Sequence, residues 1–145
     1  MRQFLDTSVL VAAFLGDHEN HDASLDVFLR LGRKEGFCAA HSIAEVYGTV
    51  TRLPGKHRVS GEHALLFLED VRKRLSVVAL DEAEYFDVAA RAAATGLAGG
   101  AIYDALIGRC AVKARVATLF TWNVKHFTTL DLPVAIAVQT PLGRA

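Results

Sequence analysis

The stretch FLDTSVL at residues 4–10 decides the fold, because it places a polar turn directly after an apolar run. The apolar residues at its start predict a short buried strand that ends at Asp6. Thr7 and Ser8 are common helix-start residues, and the apolar residues after them predict a helix. Asp6 could therefore be the cap of that helix. An ionised carboxylate in apolar surroundings is costly unless it is paired or bound to a cation, so a cation site is the second explanation.

Length and composition predict one globular domain over residues 1–145. The chain is 52% hydrophobic and 22% charged and has three prolines, which is an ordinary profile for a soluble protein. Its 16 basic and 16 acidic residues cancel, so the net charge gives no argument for binding to nucleic acid or to membranes. A local basic rim around an acidic pocket remains compatible with that balance.

Targeting and cysteine patterns predict a cytoplasmic protein without a membrane partner. The chain has no basic start followed by an apolar core, and no apolar run approaches the roughly 20 residues of a membrane span. Cys38 and Cys110 each lie in an apolar run and lack CxxC spacing. We expect both to be buried free thiols in a reducing compartment.

Strand-like and helix-like segments alternate along the whole chain. Strands are expected at residues 2–5, 37–40, 76–80, 116–121 and 134–138. Helices are expected at residues 9–15, 25–31, 42–53, 60–75, 81–95 and 101–113. Such alternation favours an α/β fold, with a mostly parallel central sheet of about five strands between two helix layers.

Four polar residues are candidates for one shared site in this fold: Asp6, Glu45, Asp104 and Asn123. Sites in open α/β sheets form beyond the C-terminal ends of the strands. Asp6 and Asn123 follow the ends of expected strands, whereas Glu45 and Asp104 lie in early turns of expected helices. Mg²⁺ and Mn²⁺ prefer oxygen ligands, and such ions activate water and neutralise a phosphodiester. The four residues therefore suggest hydrolysis of a nucleic acid.

Each of these residues also has a structural explanation. Ser42 and Glu45 have the spacing of a capping box, in which the Glu side chain returns to the Ser backbone amide. Asp104 is flanked by apolar residues, although the dipole of its own helix could stabilise it near the N-terminus. Asn123 after a strand is most often a turn residue. The sequence alone leaves these alternatives open.

The densest basic stretch surrounds the Pro54-Gly55 helix break and contains Arg52, Lys56 and Arg58. A solvated loop is one interpretation. A loop that contacts RNA phosphates is the other, because Arg and Lys supply the sequence-independent part of nucleic-acid affinity. Trp122 could stack on a base or pack in the core.

At these residues the chain resembles the PIN-domain family and, within it, the VapC-type toxins of bacterial toxin–antitoxin pairs. Residues 4–11 resemble the first-strand motif with its aspartate, and Glu45 stands where the family has a helical glutamate. Residues 100–107 resemble the second aspartate helix, and residues 121–127 resemble the strand-end motif. The four motifs in this order are fairly specific, although none is specific alone. The similarity runs from about residue 1 to residue 138.

The resemblance implies a Mg²⁺- or Mn²⁺-dependent endoribonuclease with an α/β/α sandwich. The toxins of this family usually form homodimers and are silenced by a cognate antitoxin that reaches into the active site. Carried onto this chain, the resemblance implies that Asp6 and Asp104 bind the metal directly. Glu45 would hold it through water or position the attacking water. The hydroxyl of Thr7 or Thr121 would orient a carboxylate or a water.

The fourth position of the motif set departs from the common family pattern. Asn123 stands where many members have Asp, so the site loses one negative charge. The loss should weaken binding of a second cation and favour a one-metal site. Asn also occurs at this position in the toxin subgroup, so it does not imply loss of catalysis.

Other functions remain open from the sequence. A phosphatase of the haloacid dehalogenase type needs Asp-x-Asp, but Ser8 holds the third position. A dinucleotide-binding enzyme needs a GxGxxG loop, which the stretch after Asp6 lacks. Two alternatives share the expected fold: a housekeeping RNA-processing nuclease, and a non-catalytic module that binds RNA or a partner protein.

Overall fold

A parallel five-stranded sheet lies at the centre of the structure, which is a computed structural model that describes residues 1–143. The expected domain extends to residue 145, and its last two residues lie outside the described part. The strand order is β3-β2-β1-β4-β5, with every neighbouring pair parallel. The strands are β1 Gln3–Leu5, β2 Gly36–Ala39, β3 Ser76–Val78, β4 Thr118–Phe120 and β5 Ala137–Gln139. The expected parallel sheet is therefore confirmed.

Helices cover both faces of this sheet. They are α1 Thr7–Phe14, α2 His21–Arg30, α3 Ala40–Thr51, α4 Gly61–Arg74, α5 Glu82–Thr95, α6 Ala101–Lys113 and α7 Val124–Thr128, with a 3-10 turn at Gly55–His57. Apolar residues of α1 to α4 form the core on one face. Residues of α6 and α7 form the core on the other, and α5 packs on α6. This arrangement is the expected α/β/α sandwich.

The central strand β1 is buried on both faces. Phe4 belongs to the core under α6 and α7, whereas Leu5 belongs to the core under α1 to α4. Successive strand residues point to opposite faces, so this pair fills both cores at once. The next residue, Asp6, therefore leaves the sheet at its most enclosed point.

Some expected boundaries are wrong. The last strand begins at Ala137 instead of Val134, because Ile136 N donates to Pro133 O at 3.0 Å and closes a turn there. The helix expected from residue 42 begins at Ala40. The short helix α7 was not expected at all. By contrast, the capping box of Asp81 and Glu84 forms as predicted.

Two further expectations concern the cysteines and membranes. Cys38 and Cys110 are buried free thiols, as predicted. Burial raises the pKa of Cys38 to about 12 and that of Cys110 to about 11, so both stay protonated at neutral pH. Within residues 1–143, every helix is too short or too polar to cross a membrane.

A substitution at Gly36 in β2 tests how tightly the sheet packs against Leu31 and Leu75. A side-chain carbon at this position would lie 2.6 Å from Leu75 Cδ2 and 2.9 Å from Leu31 Cβ. Because both neighbours are buried, we expect Gly36→Ala to lower the free energy of unfolding by about 1–3 kcal/mol. Urea denaturation measures the change.

Gly48→Ala is the matched control, because a side-chain carbon at Gly48 meets nothing within 4 Å and the residue lies inside α3. Alanine there should raise the free energy of unfolding by up to about 1 kcal/mol through its higher helix propensity. Equal effects of the two substitutions would contradict the packing described here.

Candidate active site

The site lies where the chain order of the sheet reverses. From the central strand β1, the chain first builds β2 and β3 on one side and later β4 and β5 on the other. Ligand sites of open α/β sheets form at such a switch point, beyond the C-terminal strand ends. Asp6 follows β1 and Thr121 follows β4, and Asp6 N donates to Phe120 O at 2.9 Å. The two side chains are therefore held side by side.

Asp6 is a buried carboxylate held by two hydroxyl groups. The residue is 3% exposed, and its Oδ2 accepts hydrogen bonds from Thr121 Oγ1 at 2.8 Å and Ser8 Oγ at 2.9 Å. Asp6 occupies the N-cap position of α1, but its side chain makes no capping hydrogen bond. The helix start therefore does not account for the carboxylate.

Burial raises the pKa of Asp6, and the hydroxyl groups of Thr121 and Ser8 oppose that rise. Both hydroxyls accept hydrogen bonds from the following turn: Asn123 N donates to Thr121 Oγ1 and Trp122 N donates to Ser8 Oγ, each at 3.0 Å. A hydroxyl has one hydrogen to donate, and here each directs it to the carboxylate. The turn after β4 thus fixes the orientation of Asp6.

Glu45 lies in the second turn of α3 and is bonded to α1. Because α3 begins at Ala40, Ser42 lies inside the helix, and the alternative of a capping box with Glu45 is wrong. Thr7 Oγ1 lies 2.9 Å from Glu45 Oε1 and 2.7 Å from Ser42 Oγ. Its single hydrogen can serve only one acceptor, and the ionised carboxylate is the stronger one. Thr7 therefore orients Glu45 as Thr121 orients Asp6.

Asp104 lies in the first turn of α6, with its side chain 29% exposed. Partial burial raises the pKa of Asp104, and the negative charges of Asp6 and Glu45 raise it further. The nearby His126 acts in the opposite direction, with its Nδ1 3.4 Å from Asp104 Oδ2. Because the other two carboxylates act on Asp104, all three negative charges face the same space.

One cleft of about 490 Å³ contains all four candidate residues in its lining. The exposed Asn123 contributes to the rim, and its backbone amide anchors Thr121. Sequence reasoning missed Ser8 and did not place the loop between α1 and α2 at the site, although His18 of that loop lines the cleft. A signal existed for Ser8, since a hydroxyl two residues after a strand-end Asp can bond back to that carboxylate.

The basic stretch does not join the site. Arg52, Lys56 and Arg58 are exposed, and among the described residues they lie outside the cleft lining. Arg58 Nε instead donates to Leu53 O at 3.1 Å. Trp122 packs against the core of α1 to α4, and its Nε1 donates to the buried Ser24 Oγ at 2.8 Å.

The donor set fits a hard divalent cation held by two residues. Within residues 1–143, no three His, Cys, Asp or Glu side chains stand close enough together to share one ion. The charge of Asp6 raises the pKa of Asp104 more than that of Glu45 does, so Asp6 and Asp104 are the two carboxylates considered for the cation. A cation between these two carboxylates would remove the unfavourable burial of one and the repulsion of the other.

Comparisons with known proteins identify the family of this chain. The sequence profile described as "PIN domain" matches residues 4–128, which include all four candidate residues. Ribonuclease VapC40 of Mycobacterium tuberculosis is 36% identical over 126 residues, which is 87% of this chain and 90% of that protein. The chain therefore belongs to the PIN-domain family and, within it, to the VapC-type ribonucleases, as the resemblance indicated.

Solved structures show the same fold. VapC20 of Mycobacterium tuberculosis, described as a Sarcin-Ricin loop cleaving toxin, has a TM-score of 0.71 at 11% identity, with 88% of this chain and 94% of that chain covered. VapBC2 from Rickettsia felis, bound to a DNA fragment from its promoter, has a TM-score of 0.64 at 20% identity, with 97% and 98% covered. VapBC-1 from nontypeable Haemophilus influenzae has a TM-score of 0.65 at 19% identity, with 99% and 100% covered.

The clustered carboxylates should make the cation-free protein less stable as the pH rises. The pKa values of Asp6 and Asp104 in the folded state are raised above the ordinary value of 3.8. Their contribution to stability is therefore full below pH 3.8 and is lost as the pH rises through the raised values. Asp104→Asn should raise the melting temperature at pH 7 in EDTA by a few degrees and flatten its pH dependence. Differential scanning calorimetry measures both.

Asp70→Asn, an exposed change on α4, is the control and should leave the melting temperature nearly unchanged. Added Mg²⁺ should stabilise the wild-type protein and the Asp70→Asn variant but not Asp104→Asn, because a ligand stabilises only the state that binds it. A melting temperature of Asp104→Asn below that of the wild type in EDTA would contradict the electrostatic account.

Proposed function

We propose that this chain is the endoribonuclease toxin of a VapBC-type toxin–antitoxin pair and hydrolyses RNA phosphodiester bonds with Mg²⁺ or Mn²⁺. The observation that carries the proposal is Asp6, a buried carboxylate oriented by Thr121 and Ser8 in the same cleft as Asp104 and Glu45. The 36% identity to VapC40, over nearly all of both proteins, supports the reaction class.

Asp6 and Asp104 hold the cation in this proposal. When bound, the cation lowers the pKa of a coordinated water and neutralises charge on the phosphodiester. Asp6 contributes a carboxylate that is already fixed, because Thr121 and Ser8 hold its Oδ2. Asp104 is more exposed than Asp6 and lines the same cleft.

Glu45 orients the attacking water, directly or by holding the cation through water. Its hydrogen bond from Thr7 limits its motion, so its carboxylate keeps one direction. The role through water is the one that the family resemblance implies for Glu45, and its position in the same cleft as Asp104 supports it.

Asn123 supports a single-cation site. It lines the cleft as a neutral residue, so it adds an oxygen donor but no charge. A second cation would have to be held mainly by Glu45, which Thr7 already engages. Asn123 also keeps Thr121 in place through its backbone amide.

The exposed Arg52, Lys56 and Arg58 would contact RNA only at a distance from the cut bond. They follow α3 and lie outside the cleft lining among the described residues. Because RNA extends beyond the cleft, their positive charges would bind phosphates several nucleotides away and supply salt-dependent affinity.

We also propose the partners of the protein, the extent of its nuclease domain and its location in the cell. The similar structures include VapBC complexes, which supports a cognate antitoxin as partner. The homodimer that the family resemblance implies is part of the proposal. The single sheet supports one nuclease domain over residues 1–145. A toxin that acts on cellular RNA works in the cytoplasm, where we place this protein.

Metal-dependent RNA cleavage tests the function. Asp6→Asn and Asp104→Asn should each lower kcat by at least about a hundredfold, because cation-based catalysis contributes several kcal/mol. Purified protein is incubated with total RNA and Mg²⁺, and cleavage sites are mapped. EDTA should abolish cleavage, and Mn²⁺ should restore it.

The control for this test is Asp70→Asn, which should cleave at the wild-type rate. Circular dichroism of each variant separates loss of the site from loss of the fold. Wild-type rates in Asp6→Asn or Asp104→Asn would refute the proposed site. Cleavage that persists in EDTA would refute the role of the cation.

A further inference from the structure

Two aromatic rings connect α3 and α6, the helices that carry Glu45 and Asp104. The rings of His41 and Tyr103 are stacked, with centroids 5.2 Å apart and an interplanar angle of 19°. Tyr103 directly precedes Asp104, and His41 Nε2 lies 3.7 Å from Glu45 Oε1. The His41 ring therefore lies next to one carboxylate of the site, and Tyr103 precedes another on α6.

This stack is not core packing. Tyr103 is 50% exposed, although it is held against His41 and near the first residues of α6. A side-chain carbon at Gly100 would lie 3.8 Å from Tyr103 Cδ2, which shows how close the ring is to that backbone. The ring of Tyr103 is thus held against His41 on one face, while the residue as a whole stays half exposed.

The charge of the cleft shows why such a surface would be useful to an RNA-cleaving site. Among the described residues, the cleft lining contains Asp6, Glu19, Glu45 and Asp104 but neither Lys nor Arg. The four acidic residues therefore repel phosphates, and a bound cation would offset that repulsion. Affinity for RNA close to the cut bond must come in part from uncharged contacts, and stacking is the main one that bases offer.

We propose that the Tyr103–His41 stack binds one unpaired base of the RNA substrate, next to the bond that is cut. The inference rests on the proposed function and adds a specificity-determining contact to it. Stacking accepts any base, so the contact selects unpaired RNA rather than a particular nucleotide. A base inside a duplex is already stacked and would not reach the ring.

Steady-state cleavage of an RNA oligonucleotide that spans a mapped cleavage site tests the proposal. Stacking of a base on an aromatic ring contributes to the binding affinity. Loss of the ring in Tyr103→Ala should therefore raise KM roughly 5- to 100-fold. The value of kcat should stay within about twofold, because the contact is equally strong in the ground and transition states. Tyr103→Phe keeps the ring and should behave like the wild type.

Tyr85→Ala is the matched control, since Tyr85 is 46% exposed and lies on α5, a helix that carries none of the four candidate site residues. It should leave KM unchanged. A fall in kcat without a rise in KM for Tyr103→Ala would assign Tyr103 to positioning Asp104 and overturn the proposal. Unchanged RNA kinetics with weakened antitoxin binding would assign the ring to the protein partner and also overturn it.

Abasic substitution identifies the contacted base. In the proposal, the KM penalty of Tyr103→Ala disappears when one position beside the cut bond lacks its base, as in a double-mutant cycle. The same penalty at every abasic position would overturn the base contact.

Cleavage of RNA tests the proposed function, whereas binding of RNA tests the base contact independently of cleavage. Wild-type protein that does not cleave RNA with Mg²⁺ would refute the function. Fluorescence anisotropy of the labelled oligonucleotide would then still test the stack, because Tyr103→Ala should weaken binding and Tyr85→Ala should not. Equal binding by both variants would overturn the inference.

Discussion

The hydrogen bonds from Thr121 and Ser8 to the buried Asp6 carboxylate are the interaction on which the site depends. They join the end of β1 to the end of β4, two strands that are adjacent in the sheet but 115 residues apart in the chain at this contact. The same hydroxyls accept backbone amides of the turn that carries Asn123. The orientation of the carboxylate therefore depends on the pairing of β1 with β4 and on the turn that follows β4.

The other two carboxylates are brought to this site by helices from both faces of the sheet. Glu45 comes from α3 and is bonded to Thr7 of α1, while Asp104 comes from α6 and lies near His126 of α7. Three negative charges in one cleft oppose folding in the absence of a cation. Functional sites commonly carry such a cost in stability, which the bound ligand offsets.

The sequence was sufficient for the fold because the fold depends on local patterns, and the four candidate residues chosen from those patterns line one cleft. Strands alternate with helices, and Asp6 directly follows an apolar run, so the strand-end rule could be applied. The pairing of Thr7 with Glu45 could not be predicted, since it joins residues 38 apart through tertiary packing. A two-residue error at the start of α3 was enough to suggest a capping box that does not form. The basic stretch near Lys56 could not be placed relative to the cleft from local patterns either.

The central claim is that Asp6 and Asp104 together hold one catalytic cation. Crystals grown with Mn²⁺ and measured for anomalous scattering test it most directly. The account predicts a single anomalous peak in the cleft, in contact with the carboxylates of both Asp6 and Asp104, and loss of that peak in Asp104→Asn. A peak that does not touch Asp6, or a cleft without a peak at millimolar Mn²⁺ in the presence of intact carboxylates, would contradict it.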